Sequence, residues 1–264
     1  MTASDPILIA IKQQALEASS QEPLLRSFFK NAVLDHQTLD ALLSFNLSRQ
    51  LPHSAVPCAE IGDIISMAFA AEPAILRSVR LDIEATVERD AACDSYLIPI
   101  LYFKGFQALQ LYRVAHWLWM QGRKNLALFL QNQISETFAV DIHPAARVGA
   151  GIMIDHATGL VIGETAVVGD NVSILHSVTL GGSGAEMGDR HPKIGNGVMI
   201  SAGAKILGNI TVGDGVKIGA GSLVLKSIPS HVTVAGVPAK IVGTPNEESP
   251  ALEMNQFFDQ QDAN

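Results

Sequence analysis

The chain has 264 residues, 48% of them apolar, and carries a formal net charge of −8. That apolar fraction excludes intrinsic disorder, and the charge argues against nucleic-acid binding, which needs a basic surface. No stretch reaches the roughly 20 uninterrupted apolar residues of a membrane span, so no membrane partner is expected.

The opening MTASDPILIAIKQQ lacks a basic start before a long apolar core, which argues against a secretory signal and for a cytoplasmic location. From there to about residue 138 the pattern is helical. Phe28, Phe29, Val33, Leu39, Leu42, Leu43 and Leu47 fall at spacings that can share one helix face. Pro73 is placed to open a helix running to about Asp90. A helix over Lys104 to Gln121 is apolar nearly all round, through Phe106, Leu109, Leu111, Val114, Trp117, Leu118 and Trp119. Such a helix must be buried on several sides, which points to oligomer contacts. A further helix, Leu126 to Phe138, leads onward. Residues 1–138 are thus expected to form an α-helical oligomerisation domain. Its two thiols, Cys58 and Cys93, lack CxxC spacing and read as reduced, packed side chains.

At about residue 139 glycine becomes frequent and an aliphatic residue returns every sixth position. The series is Ile142, Val148, Ile154, Leu160, then Ile162, Val168, Ile174, Leu180, then Ile194, Ile200, Ile206, Val212, Ile218 and Val224. Period six suits neither an α-helix nor a half-buried strand, and it identifies a parallel β-helix of hexapeptide repeats. Small or β-branched residues four places on (Ala146, Thr158, Ala166, Val172, Val178, Val198, Ala204 and Ser222) fit a narrow interior. The beat slips by two between Leu160 and Ile162, and it is interrupted by the Gly-rich loop 181–193, GGSGAEMGDRHPK. Interruptions of a solenoid gather on one side, where binding occurs. The β-helix is expected over 139–244. Residues 245–264 hold Glu247, Glu248, Glu253, Asp259 and Asp262 and no basic residue, which reads as a disordered acidic tail.

His156 follows the inward Ile154 and so lies at a turn, beside Asp155. Asp141 precedes it by a little under one coil, so a carboxylate on a neighbouring rung could fix the imidazole tautomer and leave the other nitrogen as a base. The alternative is a surface histidine with a turn-capping aspartate. His176, one slipped coil beyond His156, should stack on it. Stacked imidazoles could bind a metal, shape a pocket or repel each other electrostatically. No third ligand is in phase, because His143 is out of register and His191 sits in the loop, so no metal site is expected.

Taken together, KGFQALQLYRVAHWLW, VDIHPAARVGAGIMIDHATG, GETAVVGDNVSILHSVTLGG, DRHPKIG and AGVPAKIVG resemble the serine O-acetyltransferase family of hexapeptide-repeat acyltransferases, over residues 75–243. The resemblance implies an α+β chain: an all-helical N-terminal domain, then a left-handed parallel β-helix that is the catalytic domain. It implies transfer of acetyl from acetyl-CoA to the L-serine hydroxyl in cysteine biosynthesis, by direct attack and with no permanently bound cofactor. His156 would be the base, oriented by Asp141. Asp90 and Asp155 would hold the serine ammonium, and Arg190 and His191 its carboxylate. Acetyl-CoA would lie between neighbouring prisms against Gly182, Gly184, Ala202 and Ala220, with Lys217 near its phosphates. The family further implies trimers paired into hexamers, and L-cysteine as a competing feedback inhibitor. Relatives that dock onto O-acetylserine sulfhydrylase end in isoleucine. This chain ends Gln260-Gln261-Asp262-Ala263-Asn264, which argues against that complex. A hexapeptide acetyltransferase acting on another hydroxyl acceptor is the alternative.

Overall fold

The computed structural model describes residues 5–51, 55–184 and 187–257. Its first half is helical: α1 (Pro6–Gln21), α2 (Arg26–Phe29), α3 (Leu39–Arg49), α4 (Cys58–Ala71), α5 (Pro73–Arg89), α6 (Leu97–Tyr102), α7 (Lys104–Met120) and α8 (Lys124–Phe138). Local chemistry sets several starts. The Asp5 carboxylate accepts from Ile7 N at 3.1 Å and Pro6 opens α1, while Glu72 caps α5 ahead of Pro73. No described helix is long and apolar enough to cross a membrane.

The all-round apolar α7 is buried within the protomer, where α3 to α6, α8 and the first strands pack around it. Trp117 and Trp119 stay half-buried and Met120 exposed, so the far end of this helix keeps apolar surface open within one protomer.

The second half winds into a parallel β-solenoid of about five turns. Its strands in order are β1 (Val140–Ile142), β2 (Arg147–Val148), β3 (Met153–Ile154), β4 (Leu160–Ile162) and β5 (Val167–Val168). Next come β6 (Ser173–Ile174), β7 (Thr179–Gly181), β8 (Lys193–Ile194), β9 (Met199–Ile200) and β10 (Lys205–Leu207). The last are β11 (Thr211–Val212), β12 (Lys217–Ile218), β13 (Leu223–Val224), β14 (Thr233–Gly236) and β15 (Ala239–Gly243). Three faces result among the described residues: face A is β1-β4-β7-β10-β13, face B is β2-β5-β8-β11, and face C is β3-β6-β9-β12-β14-β15. Register gives the coil length. Val140 pairs with Leu160, a first coil of 20 residues, whereas Val161 pairs with Thr179 and Lys205 with Leu223, coils of 18.

Thirteen of the fourteen period-six positions are buried, and Val148 is half-buried. Each buried Ile, Leu or Val contributes roughly 1.5–3 kcal/mol, an upper range for the unfolded-chain reference. Thr158 departs from expectation. It is exposed, and the fully buried Ala157 takes the inward place. The cause is the longer first coil, whose corner 155–159 holds five residues between strands where 143–146 holds four.

Helices and solenoid are joined by buried polar groups. Asp82 of α5 accepts from Arg113 Nη2 at 2.7 Å, Arg113 Nε at 3.0 Å, Gln110 Nε2 at 3.1 Å and Ile152 N at 2.9 Å. Arg113 also donates to Gly149 O at 2.7 Å. Asp82 and Arg113 are 0% and 7% exposed, so the pair forms a dry bolt between α5, α7 and the first coil.

The acidic tail corrects another expectation. Residues 245–257 fold back on the molecule, and a short helix α9 (Pro250–Glu253) packs against α5 and β9. Pro250 and Ala251 are buried, and Ser173 Oγ donates to Ala251 O at 2.8 Å. Two small apolar residues amid the acids provide the anchoring surface. Residues 258–264, including the polar terminus weighed above, lie outside the described residues.

Candidate active site

The corner between faces C and A carries residues 155–159. His156 and Ala157 both have left-handed backbones, with φ of 55° and 59°. For side-chain-bearing residues this costs about 1 kcal/mol or more each, so the surroundings must hold the turn. Ala157 N and Thr158 N donate back to Asp155 O at 2.6 Å and His156 O at 2.7 Å. The start of α7 braces the turn from outside, with Lys104 Nζ donating to Thr158 Oγ1. Gly105 lies so close that a Cβ there would stand 2.3 Å from Ile154 O and 3.1 Å from Ala157 Cβ.

This strained turn leaves the His156 side chain 75% exposed, with Asp155 Oδ1 3.7 Å from its Nε2. Asp90, Asp155, His156 and Lys104 line one cavity of about 420 Å³, with Tyr102 and Phe103 on its apolar side. Asp90 arrives from the end of α5, where its Oδ1 accepts from Ala92 N at 2.9 Å. Three of the residues expected from sequence (Asp90, Asp155 and His156) therefore share one cavity.

Asp141 does not join them within the protomer. It lies mid-strand in β1, between the inward Val140 and Ile142, and its Oδ1 accepts from Gln131 Nε2 of α8 at 2.7 Å. The expected Asp141–His156 pair is thus replaced in one chain by the neighbouring Asp155. The reason is geometric: Asp141 projects from face A, whereas His156 is at the corner. The expected stacking of His156 and His176 is present, with ring centroids 5.8 Å apart at 78°. His176 Nδ1 is buried and has no hydrogen-bond partner among the described residues.

Arg190 and His191 occupy a different corner, between faces A and B, at the end of the loop from β7 to β8. Arg190 Nη2 donates to Glu164 Oε2 at 2.7 Å. His191 is buried against Gly163, where a Cβ would lie 2.0 Å from its Nε2. Its Nδ1 accepts from Thr165 N at 3.2 Å, and Thr165 Oγ1 receives both Arg190 N and His191 N. The Arg190 hydrogen bond holds Glu164 below the usual carboxylate range. Burial, and then the Arg190 charge, holds His191 below the usual imidazole value. Sequence reasoning passed over Glu164 and Thr165, although both stand in the GETAVVGDN motif at a predicted turn. It passed over the bracing role of Gly105 as well, because a close approach between distant segments leaves no local signature.

Ala202 and Ala220 continue the His156 corner upward, since Gly203 N donates to His176 O and Gly221 N to Ala202 O, at 2.9 and 2.8 Å. Gly182 and Gly184 open the loop on the other corner, Gly184 with φ of 80°. Lys217, expected near a phosphate, is 4% exposed on face C, and its Nζ donates to Phe257 O. The folded-back tail covers it, which removes it from that role in this arrangement.

An exposed imidazole beside two carboxylates suits proton abstraction from a ligand that also carries a cationic group. Residues 7–111 match the family described as serine acetyltransferase, N-terminal, and residues 191–226 match the bacterial transferase hexapeptide repeats. The serine acetyltransferase of Escherichia coli K12 is 55% identical over 94% of this chain and 91% of its own length. The crystal structure of the Vibrio cholerae serine acetyltransferase is 57% identical, covers 96% of this chain and 98% of its own, and superposes with a TM-score of 0.94. The Brucella abortus enzyme in complex with coenzyme A is 50% identical, covers 92% of this chain and 97% of its own, with a TM-score of 0.90. Other solved serine acetyltransferases are complexes with cysteine and with serine. With that likeness running through both helices and coils, the chain belongs to the serine acetyltransferase family of acyltransferases.

Proposed function

We propose that the cavity at the His156 corner is the acceptor site at which an acetyl group passes from acetyl-CoA to the hydroxyl of L-serine. The observation that carries this reading is the convergence of Asp90, Asp155 and His156 on one cavity. His156 takes the hydroxyl proton as the oxygen attacks the thioester carbonyl. The C–O bond forms as the C–S bond breaks, and the proton ultimately leaves with the CoA thiol. Asp90 and Asp155 hold the ammonium of the amino acid.

Arg190 and His191 stand at another corner of the same prism, so the carboxylate clamp is supplied by the neighbouring protomer of a trimer. Asp141, half-buried on face A, reaches His156 across the same junction. Acetyl-CoA then runs along the corner column past Ala202 and Ala220, with the loop at Gly182 and Gly184 on its other side. L-cysteine, with sulfur for oxygen, fits the same charged clamps. The helical half pairs trimers into hexamers.

Thiol release with L-serine as acceptor tests the base. His156→Ala should lower turnover by about 10²–10⁴-fold, and undiminished turnover removes His156 from the mechanism. Co-refolding inactive His156→Ala with inactive Arg190→Ala should restore part of the activity, because some junctions then combine two intact halves. No recovery would refute the shared site.

A further inference from the structure

Asp90 could serve an acceptor only if it stays at a fixed distance from Asp155 and His156, yet it ends a helix while they belong to a coil. The residue just before it spans the gap. Arg89 is 8% exposed, and among the described residues its guanidinium donates to the solenoid: Nη1 to Gly151 O at 3.0 Å and to Ser173 Oγ at 3.2 Å, and Nη2 to Asn171 Oδ1 at 3.3 Å. Gly151 opens the short run that leads through β3 to Asp155 and His156, and Ser173 lies beside Met153 one coil above. One guanidinium therefore ties the end of α5 to the coil that lines the cavity and to the coil above it.

The planar fork is what makes this possible. Its amino groups reach two coils at once, which a lysine ammonium on a flexible stem cannot do. Beyond Arg89 the backbone turns extended at Asp90, and Cys93 N donates to Asp90 O at 2.9 Å. The carboxylate thus rests on a short turn anchored chiefly by its predecessor. Asp82, Thr86 and Arg89 lie on one stripe of α5 at helical spacing, but Asp82 lies about two turns before Asp90 and bolts the helix as a whole. Arg89 acts at its working end.

We propose that Arg89 is a positioning residue of the acceptor site, holding the Asp90 carboxylate opposite Asp155 and His156 without touching either substrate. This rests on the acceptor-site reading above. A small misplacement of a binding group is expensive, so Arg89→Gln should raise the KM for L-serine by about tenfold or more. The KM for acetyl-CoA should stay within about twofold, because the corner column is untouched. Arg89→Lys should recover little of the loss. Leu43→Ala, a cavity in α3 remote from the site, should lower thermal stability without this split between the two KM values.

The decisive experiment is a double-mutant cycle with Asp90→Asn. If Arg89 works through Asp90, adding Arg89→Gln to Asp90→Asn changes the KM for L-serine by no more than about twofold. An unchanged KM in Arg89→Gln, or effects that multiply in the double variant, overturns the proposal. Amide hydrogen exchange gives a readout free of turnover. Ala92 N–H and Cys93 N–H should exchange faster in Arg89→Gln while those of Val79 to Ala85 keep their protection, and unaltered exchange at Ala92 and Cys93 refutes the positioning role. A wild-type protein inactive towards L-serine would sink the acceptor-site reading alone, since the exchange measurement still decides about Arg89.

Discussion

Replacing Asp82 by asparagine tests whether the two halves are bolted together as described. The carboxylate is fully buried and accepts four hydrogen bonds, two from Arg113, one from Gln110 and one from the backbone of Ile152. Asparagine keeps one acceptor oxygen and introduces an NH2 that must face either the Arg113 guanidinium or Ile152 N–H. Either way Arg113, 7% exposed, becomes a buried cation without its counter-charge. Breaking a buried pair from one side costs about 3–5 kcal/mol. At about 2–4 °C per kcal/mol for a chain of this size, the melting temperature should drop by roughly 6–20 °C. Thermal unfolding followed by far-ultraviolet circular dichroism at neutral pH measures it. The Asp82→Leu/Arg113→Met double variant should melt above the single variant, because no charge is stranded. A loss under about 1 kcal/mol for Asp82→Asn, or a double variant less stable than the single, would refute the reasoning.

Gly105→Ala should separate the helical brace from the turn it supports. Its new Cβ would collide with Ile154 O, so turnover should fall by about tenfold or more, with an overpacking cost of roughly 1–3 kcal/mol in thermal stability. Wild-type turnover in that variant would mean that α7 does not set the His156 turn. Stability should also depend on pH in a direction fixed by three groups. His143 is held below the usual imidazole value, first by burial, and His191 by burial and then by Arg190, so the unfolded chain takes up their protons more readily. Their contribution is complete above about pH 6.5 and is lost as the pH falls below it. Glu164, held low by Arg190, contributes above the ordinary carboxylate value and loses that contribution in stronger acid. The melting temperature should thus be flat from about pH 8 to 7 and decline towards pH 5.5, less steeply in a His143→Gln/His191→Gln variant. An equal slope in the variant would contradict the assignment.

The solenoid was legible because its period belongs to no other architecture, and each aliphatic residue in phase reports its own inward direction. Even the slip at Leu160 had meaning, since it sets the 20-residue spacing that stacks His176 on His156. What failed were inferences that crossed between segments. Thr158 was placed inward because a uniform beat cannot show that the corner 155–159 holds an extra residue. Rung spacing also does not show that the mid-strand Asp141 leaves from a face, so that within one protomer Asp155 and not Asp141 stands beside His156. Lys217 is expected near the acetyl-CoA phosphates from the family resemblance, and only the fold shows the tail lying over it. Gly105, Glu164 and Arg89 escaped for one reason: each matters through a partner dozens of residues away.

The termination of face C has a consequence for how these molecules behave in company. A ladder of parallel strands would otherwise end in a row of unpaired amide and carbonyl groups, open to the first coil of another molecule. Here β15 returns antiparallel to β14, Ala235 against Lys240 and Gly236 against Ala239. The alternating bond spacing of an antiparallel pair offers a poor template for one more parallel rung. At the opposite end, α8 packs on β1. Face C so finished offers no open parallel edge at which a further coil could add end to end.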